Sequence, residues 1–93
     1  MSKYSHINYA LKTIFNVEAG LSIEAATAMY RRSADKSGYL SELKVELGSA
    51  FSDPDMSWKR ALLNEAYEVF DAESEEAARS YAKRILWDPV FGH

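Results

Sequence analysis

Ser74-Glu75-Glu76-Ala77-Ala78-Arg79-Ser80-Tyr81-Ala82-Lys83-Arg84-Ile85-Leu86-Trp87 decides the fold class. Ala77, Ala78, Tyr81, Ala82, Ile85 and Leu86 recur at three- and four-residue steps, the signature of one buried helical face. Glu73, Glu75 and Glu76 crowd the start, while Arg79, Lys83 and Arg84 come late, as the helix dipole favours. Asp71 or Ser74 supplies the N-cap, and Asp88-Pro89 is expected to end the helix. Beyond it, the tail Val90-Phe91-Gly92-His93 is expected to fold back with Trp87 against the core.

The same period recurs upstream. Trp58, Leu62, Leu63 and Ala66 make a helical stripe behind Ser52-Asp53-Pro54-Asp55, where Asp53 or Asp55 can cap. Tyr67-Glu68-Val69-Phe70 reads either as a continuation of that helix or as a short extended piece. Leu40, Leu43 and Leu47, extended by Ala50 and Phe51, predict another helix; its Gly48 either weakens it or admits a close backbone. Ser22 opens a helix through Ile23, Ala25, Ala26, Met29 and Tyr30, with Glu24 early and Arg31 and Arg32 late. Asp35-Lys36-Ser37-Gly38 reads as the following loop. Ile7, Leu11, Ile14 and Phe15 complete the set, with Ser5 as N-cap and Gly20 as a stop. The prediction is all-α: one compact domain over residues 1–93, a bundle or array of about five helices, with at most one short extended segment at 67–70.

Composition agrees with a folded chain. Forty-seven per cent hydrophobic residues and twelve aromatics among 93 argue against intrinsic disorder. With no cysteine, disulfides and thiolate metal sites are impossible. The apolar runs are far shorter than the ~20 residues that span a bilayer. Met1-Ser2-Lys3-Tyr4 leads into a polar-studded amphipathic pattern, so neither a signal peptide nor a membrane partner is expected. A cytoplasmic protein is the expectation.

Charge is unevenly distributed. Residues 42–76 hold ten carboxylates (Glu42, Glu46, Asp53, Asp55, Glu65, Glu68, Asp71, Glu73, Glu75, Glu76) against Lys44, Lys59 and Arg60. The remainder holds eight cations against four carboxylates. One strongly acidic stretch creates a negative field that favours a basic partner.

No catalytic pattern is complete in this sequence. His6 and His93, the two histidines, lie at opposite ends of the chain, which disfavours an imidazole metal site or acid–base pair. Asp53, Asp55 and Ser57 imitate the opening of a calcium loop, but Trp58 stands where glycine is required and Asn64 where a bidentate Glu is required. Glycine-rich phosphate loops and nucleophile elbows are absent, and the carboxylates of 71–76 suit a helix start better than a paired-carboxylate active site. No cofactor, metal or enzymatic activity is expected.

Residues Trp58 to Leu63, Tyr67 to Phe70, and Ser80-Tyr81-Ala82-Lys83-Arg84-Ile85-Leu86-Trp87-Asp88-Pro89-Val90-Phe91-Gly92 resemble small bacterial immunity proteins. In size and acidity the chain is similar to the cytoplasmic immunity proteins of contact-dependent growth inhibition systems. The resemblance implies stoichiometric inhibition of a cognate toxin, the C-terminal domain of a large secreted protein, by blocking its active or substrate site. Many such toxins are basic nucleases. The expected toxin-binding residues are Glu68, Asp71, Glu73, Glu75 and Glu76, with Tyr67 as anchor; nucleic acid is not an expected partner. The alternative is a small helical nucleic-acid-binding or regulatory protein using Arg31, Arg32, Arg79, Lys83 and Arg84.

Overall fold

A computed structural model describes residues 4–92. The chain forms α1 (Ser5–Thr13), a 3-10 turn (Val17–Ala19), α2 (Ile23–Ser37), α3 (Leu40–Ser52), α4 (Trp58–Leu62) and α5 (Glu75–Ala82). Without a break, α5 passes into a π-helical segment (Lys83–Trp87) and a final α turn (Asp88–Phe91). The described residues contain no strand beyond an isolated antiparallel bridge between Leu63 and Glu68. The all-α expectation holds.

The predicted stripes meet at one core. Ile7, Leu11, Tyr30, Leu43, Leu47, Leu62, Ile85 and Leu86 are its largest fully buried side chains, drawn from α1 to α4 and the π-helical segment. Burying a Leu or Ile side chain contributes about 1.5–3 kcal/mol, so this cluster dominates the favourable side of folding. An aromatic staircase joins three helices: Trp58 to Phe51 (ring centroids 4.5 Å apart), Phe51 to Trp87 (5.3 Å) and Trp87 to Phe91 (4.3 Å).

Several helix ends differ from expectation because partners distant in sequence do the capping. Ser5 lies inside α1 and does not cap it. Instead Glu46 of α3 accepts the Ile7 N–H at 2.9 Å, satisfying a first-turn donor across the fold. Ser22 caps α2 as predicted, through the Ala25 N–H. The expected loop 35–38 is mostly helix, since α2 runs to Ser37 and buries Ala34. It closes at Gly38 (φ 78°), whose N–H bonds the Asp35 carbonyl while the Tyr39 N–H bonds that of Ala34. This is a Schellman closure, for which a residue without Cβ is favoured.

In α3, a Cβ on Gly48 would meet open space, so no close backbone approach explains this glycine. Gly48→Ala is therefore expected to stabilise the protein by about 0.5–1 kcal/mol, read from its urea midpoint. At the C-terminus of α3, the Arg79 guanidinium donates to the Phe51 carbonyl (3.3 Å) and lies over the Phe51 ring (5.2 Å).

Neither Asp53 nor Asp55 caps α4. Asp53 accepts hydrogen bonds from the Tyr4 hydroxyl (2.7 Å) and the Asp55 N–H (2.9 Å), and Ser57 caps α4 through the Arg60 N–H. Helix α4 stops at Leu62, so the predicted stripe fails at its end: Leu63 and Ala66 are exposed. Asn64 explains the stop. Its side-chain oxygen accepts the N–H groups of Ala66 (2.9 Å) and Tyr67 (3.3 Å), a local turn that competes with helix. The chain then reverses, and the Leu62 carbonyl accepts the N–H of Val69 (2.7 Å) and Phe70 (3.2 Å). Segment 67–70 is thus neither helix nor strand.

Ser74, not Asp71, caps α5, through the Ala77 N–H. Asp88-Pro89 does not end the rod, which continues to Phe91, so the tail reaches the core as helix without a fold-back, with Val90 and Trp87 packed there as expected. Val90 is buried, Phe91 is partly exposed on Trp87, and His93 lies outside the described residues. Pro89 has no N–H for the Ile85 carbonyl and its ring would crowd that carbonyl in a regular α ladder. The π segment just before it widens the turn, with the Asp88 N–H bonded five residues back to Lys83. Buried Tyr30 donates its hydroxyl to the Leu86 carbonyl of this segment at 2.9 Å. Tyr30→Phe would leave that carbonyl without this donor and is expected to cost about 1–2 kcal/mol in thermal unfolding.

Candidate functional site

Residues 63–74, between α4 and α5, contain Glu65, Glu68, Asp71 and Glu73 and no Lys or Arg. Val69 and Ala72 are buried and pin this irregular segment to the core, which leaves the four carboxylates exposed. Glu76, in the first turn of α5, is exposed beside them in sequence. Among the described residues, none of these five side chains makes a hydrogen bond or ion pair. The nearest cations in sequence, Lys59 and Arg60, share a small cleft with Asp71 but form no ion pair with it.

A second stretch joins this surface from far away in sequence. The Val17 N–H donates to the Glu68 carbonyl at 2.8 Å, bringing the 3-10 turn and its exposed Glu18 alongside. Val17 is 54% exposed and Leu63 is 37% exposed. Leu63 and Glu68 oppose one another in the antiparallel bridge, so their side chains emerge on one face. Two exposed apolar side chains, Val17 and Leu63, are thus each tied through the backbone to Glu68, a mixed apolar and acidic composition suited to a protein contact. Val17, Glu18 and Leu63 were not expected here; the two former lie about fifty positions upstream of Glu68, and no local pattern connects them.

The other predicted contact residues separate from this group. Glu75 accepts the Ser57 hydroxyl (2.7 Å) and the N–H groups of Trp58 (3.0 Å) and Lys59 (3.3 Å), which makes it a cap for α4. These bonds, led by that from Ser57, hold its carboxyl below the ordinary value of 4.5. A lowered folded pKa gives stability that is present above the unfolded pKa and lost as pH falls through the folded one. Glu75→Gln is accordingly expected to be less stable than wild type at neutral pH, with the gap closing below about pH 4.5 in thermal melts. Tyr67 is half-buried and lines a groove between α1 and α4. Burial pushes its phenol pKa up, with the Asn64 side chain partly opposing.

The acidic block therefore divides. Its first part is mostly occupied within the fold: Glu42 with His6 at 3.2 Å, Glu46 at the α1 N-terminus, and Asp53 with Tyr4, while the Asp55 carboxylate is exposed. Its second part, from Glu65, is open apart from Glu75. The basic residues are similarly split. Arg79 is spent on Phe51, and Lys83 pairs with Asp88 at 2.9 Å. Arg31 and Arg32 line a shallow groove with Asp35 and Pro89. No group of three or more metal-ligating side chains occurs among the described residues, and no helix of theirs is long and apolar enough to cross a membrane.

Comparison with known proteins returns nothing: no family model, no curated protein and no solved structure matches the chain.

Proposed function

We propose that this chain is a cytoplasmic immunity protein that neutralises a cognate toxin domain, of basic nuclease type, by stoichiometric binding and not by chemistry. The observation that carries the reading is the segment 63–74, whose exposed carboxylates lack internal partners, with exposed Leu63 bridged to Glu68 and the exposed Val17 tied by its N–H to the Glu68 carbonyl. Carboxylates held this way would stand in for nucleic-acid phosphates before the Lys and Arg of a toxin's substrate groove. Attraction over several ångströms raises the encounter rate, and desolvated apolar contacts then slow dissociation. Glu68, Asp71, Glu73 and Glu76 act as the charged contacts, while Glu75 contributes by holding α4 in place.

The nucleic-acid alternative loses support from the same geometry, because Arg79 and Lys83 already have partners inside the molecule. A gel shift with nonspecific duplex at low salt separates the two readings: the immunity reading expects no shift. Its positive test is inhibition of a toxin domain found encoded beside this gene, complete at one equivalent, and a neighbourhood without such a domain counts against it.

A further inference from the structure

We propose that the groove between α1 and α4, which borders the acidic segment at Asn64 and Tyr67 but contains none of its carboxylates, is a binding site for a small aromatic anion. The groove, about 730 Å³, is lined by Tyr4, Tyr9, Tyr67, Lys12, Arg60 and Asp55 among others. It is a wide, open groove and not an enclosed cleft, so its case rests on the ring faces and charged groups along it. The three tyrosine rings supply the walls. Tyr4 is held by its bond to Asp53, and Tyr9, 60% exposed, offers a free face. Asn64 fixes the third wall: its amide donates to the Arg60 carbonyl (2.9 Å) while its oxygen accepts the Tyr67 N–H.

The polar groups are biased toward donors. Lys12 and Arg60 are exposed cations, and neither pairs with a carboxylate among the described residues. Tyr67, whose pKa burial raises, remains a neutral hydroxyl donor at physiological pH. Asp55 is the one carboxylate in the lining, so cations outnumber anions in this concavity of an otherwise acidic chain. Lys and Arg select an anionic oxygen group, and the rings select a flat apolar body. The groove at Arg31 and Arg32 also carries two cations but has no aromatic wall, so it lacks the second half of this specificity.

The test uses the full ¹⁵N-labelled chain titrated with phenyl phosphate, with inorganic phosphate and phenol as separate arms. Phenyl phosphate is expected to shift the Arg60, Asn64 and Tyr67 resonances saturably, about tenfold more tightly than either fragment. The K12Q/R60Q double variant should lose about tenfold in that affinity with its melting temperature unchanged, since both side chains are exposed. The proposal is overturned by an absence of saturation up to about 10 mM. It is also overturned by equal binding of inorganic phosphate, by shifts centred on Arg31 and Arg32, or by a double variant that binds like wild type. Failure here would leave the toxin-binding reading standing, because no residue of segment 63–74 other than Asn64 and Tyr67 enters the argument.

Discussion

Truncating Leu47 to alanine is expected to lower the unfolding free energy by about 2–5 kcal/mol. Leu47 is fully buried on α3, the helix that packs against both α1 and α2. The loss combines removed apolar contact with the cavity left when helices on two sides cannot both relax inward. A single domain has about 5–15 kcal/mol in total, so the variant should keep little reserve. Its urea midpoint should fall steeply at unchanged m-value. A midpoint close to wild type would mean that α3 is not the hub of the core.

The second large effect concerns the surface. Replacing Glu68 and Asp71 by lysine removes two negative charges and adds two positive ones at exposed side chains that have no partners among the described residues. Against a basic toxin groove, the association rate at low salt should drop by about 10- to 100-fold. Because long-range attraction is screened beyond about 10 Å at 0.1 M salt, the difference should narrow as salt rises. Stability should stay near wild type, since neither side chain supports the fold. Val17→Ser should act on the other side of the equilibrium, speeding dissociation with little change in the association rate. An unchanged association rate in the reversed variant would make the acidic segment ordinary solvated surface.

How much could be read beforehand depends on where each helix signal lives. The face of α5 was legible because its period, its Ser74 cap and its flanking charges lie within one stretch. The same holds for α2, whose Ser22 cap is local. What failed was long-range or competitive. Glu46 caps α1 from α3, and Glu75 caps α4 from α5, so neither carboxylate announces its role among its neighbours. At Asn64 a side-chain turn outcompetes a helical stripe that Leu63 and Ala66 would otherwise continue. Pro89 stands inside a helix because a π-helical widening precedes it.

The same distinction governs the candidate site. Sequence located its carboxylates, since composition alone isolates residues 42–76. Composition could not separate the carboxylates that cap and bridge from those left open. Nor could it place Val17 beside Glu68, a contact made by one backbone hydrogen bond across two loops.

The most direct measurement is a titration of the cognate toxin domain that the proposed function calls for, following its activity as the protein is added at low and at high salt. The account predicts complete inhibition at one equivalent, with an affinity that weakens progressively as salt rises. Undiminished toxin activity at excess protein, or an affinity indifferent to salt, would contradict it.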